Sequence, residues 1–388
     1  MESVVNMTEK IHRKEFGNFY AGKTVLITGH TGFKGSWLAL WLKLLRASVV
    51  GFSLEPPTTP SHFDSLQLKE HITHVLGDIR KPNQLEEIFR TYQPEIVFHL
   101  AAQPLVRHSY IEPHLTYETN VMGTVNVMEA VRKNPCVRVV VNITSDKCYD
   151  NKEWDYAYRE NDAMGGFDPY SSSKGCAELV ASAYRNSFLH DKQGTRLASV
   201  RAGNVVGGGD WAEDRIIPDC IRALAENKPI SVRNPAAIRP WQHVLEPLSG
   251  YLWLGKQLWS SGSGFDGSWN FGPNAQSNIN VEKIVEKVIA VWGSGSWQGT
   301  NVSVPQPHEA RFLKLDCSKA STLLDWHPVL GIDETIRFTT IWFKDYYSGE
   351  KDTLKRSTLD IDNYVSLAQA QHITWASTTM KEEQKNGG

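Results

Sequence analysis

The chain has 388 residues, 41% of them hydrophobic and 22% charged, as expected of a globular protein with one large or two modest domains. A net charge of −2 gives no sign of a nucleic-acid partner, and no apolar run reaches the length of about 18 residues that predicts a membrane span. The five cysteines are scattered without a CxxC pair or a Cys/His cluster, so neither a disulfide framework nor a metal site is predicted. These features favour a cytoplasmic protein.

From residue 23 to residue 206, short apolar segments rich in β-branched residues alternate with segments of helical length and period. The predicted strands are 23–29, 48–54, 71–79, 94–102, 137–145 and 196–206, and the predicted helices are 36–47, 83–92, 119–133 and 170–188. Strands that alternate with helices in this way are typical of βαβ units. The sequence therefore predicts an α/β fold with a doubly wound parallel sheet, the Rossmann architecture.

Beyond Val206 the chain becomes richer in loops and aromatic residues, as in the segments GGGDW, NPAAIRPW and SGSGFDGSW. This change of character predicts a smaller C-terminal substrate-binding domain. We expect residues 20–202 to form a cofactor-binding Rossmann domain, with a returning segment at about 240–272. Residues 203–239 and 273–345 would form the smaller domain, and residues 351–388 a polar C-terminal extension.

The first predicted strand runs into TGHTGFKG, which places Gly29, Gly32 and Gly35 three residues apart. Glycines at a strand-to-helix turn let the backbone approach a pyrophosphate, and the following helix offers amide groups to that anion. The first gap is longer than in the GxGxxG fingerprint, and a turn of purely structural importance is the simpler alternative. Because the turn opens the first βαβ unit, a dinucleotide site is the better interpretation.

Two later strand ends bear on which dinucleotide binds. Asp78 follows the third predicted strand, where its carboxylate could accept a hydrogen bond from an adenine amine or cap the next helix. Ser53 ends the second strand, where NAD enzymes often carry an acid for the ribose hydroxyl, so this position does not decide between NAD and NADP. Because no arginine immediately follows Ser53 to hold a 2′-phosphate, we expect NAD.

The fifth predicted strand ends in ITSDKCYDN, where a hydroxyl, a carboxylate and an amine follow one another as Ser145, Asp146 and Lys147. The simplest interpretation of these three residues is structural: Asp146 and Lys147 would form an ion pair in a loop.

The segment YSSSK sets Tyr170 and Lys174 four residues apart on one face of a predicted helix. A phenol with an ordinary pKa of about 10 is a poor base at neutral pH, but a nearby ammonium group favours the phenolate. Tyr170 could then take a proton from a substrate hydroxyl. An ordinary helix-surface pair is the alternative for this common spacing, and the glycine turn upstream in the same βαβ pattern argues against it.

These motifs resemble the extended short-chain dehydrogenase/reductases that act on nucleotide-sugars. The resemblance covers most of residues 22–343 and rests on the segments TGHTGFKG, GDI, HLAAQ, NVMGT, YSSSK, NFGP and LLDWHP. Within the family the chain is most similar to the 4,6-dehydratases that act on CDP-glucose, through HTGFKGSWL, AAQPLVRHSY, TSDKCYDN, GNVVGGGDWAEDRIIPD and RPWQHVLEPL. The resemblance implies NAD as the cofactor and a site that includes Tyr170, Lys174, Thr31, Phe33, Ile79, Leu100, Ala101 and Ala102.

The resemblance also implies a lyase that converts CDP-glucose to CDP-4-keto-6-deoxyglucose and water. Tyr170 would take the C4 hydroxyl proton as NAD takes a hydride from C4, and Ser145 would hydrogen-bond the C4 oxygen. Asp146 would protonate the leaving C6 hydroxyl, after which the hydride returns to C6. Related dehydratases carry a glutamate base where this chain has Lys147, which either acts as the C5 base with a lowered pKa or stays charged and stabilises the enolate.

A sugar diphosphate requires cationic, forked donors, which arginine provides. The resemblance places Asn204 and Arg215 near the diphosphate and the sugar, and Arg239 at the diphosphate. Gln103 and Arg107 would border the nicotinamide ribose and the substrate. The further candidates for substrate binding are Arg201, Asp214, Arg233 and His308.

Three alternatives remain open at this stage. A nucleotide-sugar 4-epimerase or reductase needs Tyr170 and Lys174 but not the Asp146–Lys147 pair, and a dTDP-glucose dehydratase differs only in the base that it recognises. A non-catalytic NAD sensor would need none of these side chains. From the resemblance we also expect a homodimer or homotetramer that pairs through the helices at about 119–133 and 170–188.

Overall fold

The computed structural model describes residues 13–189, 194–260, 262–299, 313–349 and 352–377. Its centre is a seven-stranded sheet in which neighbouring strands are parallel. The strands, in chain order, are β1 Thr24–Thr28, β2 Ser48–Ser53, β3 Thr73–Leu76, β4 Ile96–His99, β5 Val139–Ile143, β6 Arg196–Arg201, β7 Val205–Val206, β8 Ile230–Val232, β9 Ile238–Pro240, β10 Gln242–His243, β11 Gly267–Asn270, β12 Asn278–Asn280 and β13 Trp297–Gly299.

The order of the main sheet is β11-β6-β5-β4-β1-β2-β3, so the winding direction reverses between β1 and β4. Alternate residues of β1 point to opposite faces: Val25 and Ile27 belong to one hydrophobic core, and Leu26 belongs to another. Because both faces are covered, β5 is buried at every position, which explains why all its residues except Asn142 are apolar. The predicted doubly wound parallel sheet is confirmed.

Helices pack on both faces of this sheet and continue beyond it. They span Phe33–Leu44, His62–Ser65, Pro82–Tyr92, Val106–Ile111, Pro113–Tyr117, Gly123–Lys133, Pro169–Tyr184, Ile216–Ala225, Leu245–Ser260, Val281–Trp292, Ser318–Leu323, Ile332–Ser348 and Thr353–Ala370. None of the helices in the described ranges combines the length and apolar character that crossing a membrane requires.

The helix predicted at 170–188 is α-helical over Pro169–Tyr184 and continues as a π-helical turn over Arg185–Leu189, and two further predicted elements differ from the structure. The strand expected at 196–206 divides into β6 and β7, because Asn204 adopts a left-handed conformation with φ of 49° and interrupts the extended chain. The helix expected at 119–133 begins inside a wider π-helical turn, Glu118–Met122, and is regular only from Gly123. Both departures lie next to residues that line the large cavity described below.

Short strand pairs follow β6 in the chain. They join β7 with β10, β8 with β13, and, antiparallel, β9 with β12. Within the predicted extension, the Thr353–Ala370 helix packs against the core: Tyr364 is buried, and Ser357 accepts a hydrogen bond from Trp342 Nε1. Trp375, just beyond this helix, is also buried. The division of the chain into domains stays a prediction.

Candidate active site

A cavity of about 1820 Å³ opens along the carboxyl edge of the main sheet, at the point where the winding direction reverses. Its volume exceeds the roughly 300–1000 Å³ of an ordinary ligand pocket, so it has room for a dinucleotide and a second large ligand. The cavity brings together all the predicted catalytic and cofactor residues: Gly29, Thr31, Gly32, Phe33, Gly35, Ser53, Asp78, Ile79, Leu100, Ala101, Ala102, Ser145, Asp146, Lys147, Tyr170 and Lys174.

The glycine turn is shaped by close backbone approach. Gly29 has a φ of 80°, and a Cβ there would lie 2.7 Å from the backbone nitrogen of Ala101. A Cβ on Gly35 would lie 2.1 Å from the carbonyl oxygen of Gly29. Gly32 precedes the Phe33–Leu44 helix, whose first amide groups therefore begin at the cavity. This side-chain-free cradle at a helix start fits a dinucleotide pyrophosphate.

Ser53 and Asp78, the two residues predicted to bear on the choice of dinucleotide, both form hydrogen bonds within the protein. Ser53 Oγ lies 2.7 Å from Thr31 Oγ1, which also donates to the Leu54 carbonyl at 2.9 Å. The Asp78 carboxylate receives the Arg80 guanidinium, with Nη2 to Oδ2 at 2.6 Å. Partial burial opposes ionisation of Asp78, but the hydrogen bonds and charge of Arg80 lower its pKa overall. Arg80 lines the cavity and was not predicted from the sequence.

Ser145, Asp146 and Lys147 form the start of a single helical turn directly after β5. Ser145 caps this turn, accepting from Lys147 N at 3.3 Å, while its Oγ donates to Asp146 Oδ1 at 2.9 Å. The other carboxylate oxygen, Oδ2, lies over Gly203, where a Cβ would stand only 1.8 Å away. The cap and the glycine together fix the orientation of the Asp146 carboxylate.

Tyr170 and Lys174 lie in the first turns of the Pro169–Tyr184 helix, whose start is capped by Asp168 through Ser171 N at 2.9 Å. Burial raises the pKa of Tyr170 to about 12, and the hydrogen bond from Ser145 opposes this shift. Burial also lowers the pKa of Lys174 to about 8, against the effect of Glu178. The phenol and the ammonium therefore both lie in the poorly solvated cavity, where the nearby positive charge of Arg215 also opposes the rise in the pKa of Tyr170.

Lys34 is a cavity residue that the sequence analysis did not single out. Burial and the positive charge of Arg215 lower the pKa of Lys34 to about 8, while Asp146 and Asp210 oppose this. Arg215 in turn pairs with Asp210 at 2.8 Å. Lys34 could have been predicted as a site residue from its place in TGHTGFKG, because a positive charge in a phosphate-binding turn can bind an anion.

Most of the predicted substrate residues line the cavity. Asp214 Oδ1 lies between two guanidinium groups, 3.1 Å from Arg233 Nη1 and 3.5 Å from Arg107 Nη1. Arg239 lies within strand β9 and donates to the carbonyl of the preceding residue, Ile238, at 2.9 Å. This gathering of arginines supplies cationic forks suited to a diphosphate. The predicted substrate residues that line the cavity are Gln103, Arg107, Asn204, Asp214, Arg215, Arg233 and Arg239.

Gln103 lines the cavity, but its side chain is committed to the loop after β4. Its Nε2 donates to Thr116 Oγ1 at 2.9 Å and to the Leu105 carbonyl at 3.1 Å, and its Oε1 accepts from Leu105 N at 2.6 Å. The Gln103 amide nitrogen also donates to Asn120 Oδ1, on the π-helical turn. The side chain therefore shapes the wall of the cavity.

Arg201 is the predicted substrate residue that the structure contradicts. Its guanidinium is only 2% exposed and forms a bidentate pair with Glu178, at 3.0 Å and 2.8 Å. It also donates to Tyr149 Oη at 2.6 Å and is absent from the cavity lining. Its donors are used inside the protein, so it is a core cation. The prediction for His308 lies outside the described residues.

Comparison with known proteins places this geometry in a family. The family profile of GDP-mannose 4,6-dehydratase matches residues 26–339. The CDP-glucose 4,6-dehydratase of Salmonella typhimurium is 53% identical over 356 residues, which cover 90% of this chain and 98% of the relative. Both matches support the predicted family.

Solved structures agree on the fold. The dTDP-glucose 4,6-dehydratase of Bacillus anthracis in complex with NAD has a TM-score of 0.69 at 21% identity, with 84% of this chain and 98% of that chain covered. The UDP-glucose 4-epimerase of Thermotoga maritima with UDP-glucose has a TM-score of 0.70 at 20% identity, with 83% and 99% covered. The sequence matches and this shared fold lead to one conclusion: the chain is an enzyme of the GDP-mannose 4,6-dehydratase family.

Proposed function

We propose that this enzyme converts CDP-glucose to CDP-4-keto-6-deoxyglucose and water, with NAD as a resident cofactor. The observation that carries the proposal is the 53% identity, over nearly the whole of both chains, to the CDP-glucose 4,6-dehydratase of Salmonella typhimurium. The placement of Ser145, Asp146 and Lys147 in one cavity with Tyr170 and Lys174 supports it, because a dehydratase needs both groups of side chains.

The glycine cradle at Gly29 and Gly35 would hold the pyrophosphate of NAD, with Ser53 and Asp78 toward its adenosine half. When bound, NAD supplies the hydride acceptor for the sugar C4 and returns the same hydride to C6. A preference for NAD is supported by Thr31 and Ser53, whose hydroxyls bond each other where a 2′-phosphate would need cationic partners.

Tyr170 removes the proton from the C4 hydroxyl. The phenolate that this requires would be stabilised by the hydroxyl of Ser145 and the charge of Arg215, which both lower the pKa of Tyr170, and by an ammonium on Lys174 one helical turn away. Ser145 also orients the C4 oxygen for this transfer. The ketone formed at C4 acidifies the C5 hydrogen and prepares the sugar for elimination.

Elimination requires an acid at the C6 oxygen and a group that acts at C5. Asp146 is the acid, held in place by Ser145 and Gly203. Lys147 serves C5, where two roles fit a lysine: it removes the C5 proton and returns it, or it stabilises the enolate by its charge. The Lys147 variants described in the Discussion separate these two roles.

The arginines at the far side of the cavity bind the CDP end. Arg239, Arg233 and Arg107 present guanidinium groups to the diphosphate, and Asp214 keeps two of them apart in a fixed arrangement. The choice of cytosine over thymine depends on the lining near these residues, and the likeness to the Salmonella typhimurium enzyme supports CDP.

We also infer a homodimer, or a tetramer built from it, in the cytoplasm. Apolar side chains remain exposed on the packed helical segments Pro113–Met122 and Pro169–Leu189: Tyr117 by 37%, Met122 by 51%, Leu179 by 60% and Phe188 by 41%. Such a patch favours association with a second copy. The five free cysteines are consistent with a reducing compartment.

The test is incubation of the purified enzyme with NAD and, separately, CDP-glucose and dTDP-glucose, followed by mass spectrometry of each product. Loss of one water from CDP-glucose alone supports the proposal, and the Tyr170→Phe variant serves as the inactive control. Loss of water from dTDP-glucose instead would contradict the CDP assignment. An unchanged mass with the sugar inverted at C4 would contradict dehydration itself.

A further inference from the structure

The predicted acid, Asp146, stands in the wall between two cavities. A second cavity, of about 270 Å³, adjoins the large one, and within the described part of the chain Asp146 and Gly203 are the residues that line both. Asp146 is otherwise buried, at 4% exposed. The acid can therefore be approached from the substrate side and, separately, from the second cavity.

The second cavity extends from the protein interior to the surface. Gln242 in its lining is 1% exposed, whereas Asp155 in the same lining is exposed. A cavity of this volume has room for several water molecules, and its polar lining suits them. Water can thus extend from the surface to Asp146 without passing through the substrate cavity.

Gln242 shapes the buried part of this lining. Its Nε2 donates to the Gly203 carbonyl at 3.0 Å and to the Phe271 carbonyl at 3.1 Å. These two carbonyl partners fix the orientation of the amide and leave Oε1 as the acceptor. No described residue donates to Gln242 Oε1, or to Asn278 Oδ1 in the same lining. Buried acceptors that lack a protein donor are the groups that internal water satisfies.

The hydrogen bonds of Asp146 leave one carboxylate oxygen for the acid proton. Ser145 Oγ donates to Oδ1 at 2.9 Å. The other oxygen, Oδ2, lies closest to the α-carbon of Gly203, the second residue of the shared wall, where a Cβ would stand 1.8 Å away. Since Oδ1 already accepts a hydrogen bond, Oδ2 carries the proton when Asp146 is an acid.

The proposed reaction leaves Asp146 without a proton at the end of each turnover. Oxidation moves the C4 hydroxyl proton to the Tyr170 phenolate. Elimination then moves the Asp146 proton to the departing C6 oxygen, while the C5 proton is removed and later returned. When the product has formed, Tyr170 is a phenol and Asp146 is a carboxylate. Before the next cycle Asp146 must gain a proton and Tyr170 must lose one.

We propose that the second cavity is a water-filled proton entry, through which solvent reprotonates Asp146 while the product still occupies the substrate side. Gln242 and Asn278 are positioning residues that hold the water of this entry. The inference rests on the proposed function and adds to it the route by which the acid is restored.

The step balances in atoms and charge. A hydronium ion in the second cavity gives a proton to Asp146 Oδ2, so that one O–H bond breaks, one O–H bond forms, and a carboxylic acid and a water molecule result. After the product leaves, Tyr170 Oη gives its proton to water in the large cavity. Each turnover therefore takes one proton from solvent and returns one, and no oxidant or reductant is needed.

The experiment follows a single turnover by rapid mixing of CDP-glucose with excess NAD-loaded enzyme, in weak buffer that contains a pH indicator. The rise of reduced-nicotinamide absorbance reports oxidation, and its decay reports passage through elimination. The indicator reports protons exchanged with solvent. In the parent enzyme we expect uptake of about one proton per CDP-glucose during the decay, and return of that proton as the product leaves.

Two variants fill the second cavity without touching the substrate side. Ala157→Leu and Asn278→Leu each place a larger apolar side chain in its lining, and neither residue lines the large cavity. Because Asp146 starts the turnover protonated, the rise and decay should stay within about threefold of the parent rates, while proton uptake slows by about tenfold or more. Ala163→Leu is the matched control, since Ala163 is exposed and lines neither cavity.

The outcomes separate the proton entry from the proposed function. A decay without proton uptake in the parent would overturn the entry, because Asp146 would then be reprotonated inside the protein. Uptake as fast in both cavity variants as in Ala163→Leu would overturn it as well. If one cavity variant fails to fold, the other decides. Absence of any absorbance rise and of any dehydrated product in the parent would instead overturn the proposed function, and the proton entry with it.

Discussion

The carboxylate of Asp146 lies against the α-carbon of Gly203, so close that a Cβ at position 203 would stand 1.8 Å from Oδ2. Gly203 belongs to the short connection between β6 and β7, and Asp146 follows β5, so two strand ends meet at the predicted acid. A side chain at position 203 must push the carboxylate away from its hydrogen bond with Ser145. The glycine is therefore a positioning residue for the acid.

The first prediction concerns this contact. In Gly203→Ala we expect elimination to slow by about 100-fold or more, the usual worth of a positioned general acid, while the oxidation phase is much less affected. Gly264→Ala is the matched control, because a Cβ there meets nothing within 4 Å. Rapid mixing with CDP-glucose measures both phases, and equal slowing of oxidation and elimination in Gly203→Ala would show a general distortion instead.

The second prediction concerns the glycine cradle. In Gly35→Ala the new methyl group would lie 2.1 Å from the Gly29 carbonyl oxygen, so the turn must open. Overpacking of about 1–3 kcal/mol translates into NAD binding weakened by roughly 5- to 150-fold. Calorimetric titration of NAD into Gly35→Ala and into Gly264→Ala measures this. Unchanged NAD affinity in a folded Gly35→Ala protein would argue against a pyrophosphate at this turn.

The third prediction separates the two roles of Lys147. In Lys147→Met, either role predicts slower elimination, with reduced nicotinamide persisting on the enzyme, by about 100-fold or more. Lys147→Arg keeps the charge but cannot act as a base at neutral pH. If Lys147 stabilises the enolate, Lys147→Arg retains much of the elimination rate. If Lys147 is the C5 base, Lys147→Arg is as slow in elimination as Lys147→Met. Dehydration at the parent rate in Lys147→Met would remove Lys147 from the mechanism.

Much of this arrangement follows from local sequence patterns, and what does not depends on distant partners. The strands were predictable because buried parallel strands need apolar, β-branched residues, and the glycine turn and YSSSK carry their own spacing. Arg201 was misassigned because an arginine after a strand looks the same whether it faces a cavity or pairs with Glu178, and only the packing of helix on sheet decides. The split after β6 likewise depends on the left-handed backbone at Asn204, which most residues disfavour and no local pattern announced.

The fourth prediction uses the titration of Lys174. Its pKa is lowered from 10.5 to about 8 in the folded protein, so between these values the unfolded chain binds more protons and stability rises with pH. Below pH 8 the buried ammonium lowers the free energy of unfolding by on the order of 1–3 kcal/mol. Lys174→Met should therefore be more stable than the parent at pH 7 and lose the rise toward pH 10.5, while losing oxidation activity. Thermal unfolding of the cofactor-free proteins across this range measures it, and parallel profiles for the two proteins would contradict the shifted pKa.

The fifth prediction follows from the correction at Arg201. Because its guanidinium is buried and paired with Glu178, removing one partner leaves an uncompensated charge in the core. Arg201→Met should lower the free energy of unfolding by about 3–5 kcal/mol, as breaking a buried ion pair does. The double variant Arg201→Met, Glu178→Met should recover part of this loss, since no unpaired charge remains. Urea unfolding measures the free energy of unfolding of both variants.

The correction at Arg201 also predicts the effect on substrate binding. The KM for CDP-glucose of the folded Arg201→Met variant should stay within about threefold of the parent, the limit for a residue that makes no direct substrate contact. By contrast, Arg239→Ala should raise that KM by about tenfold or more through loss of a diphosphate contact. A KM raised equally by both substitutions would return Arg201 to the substrate site.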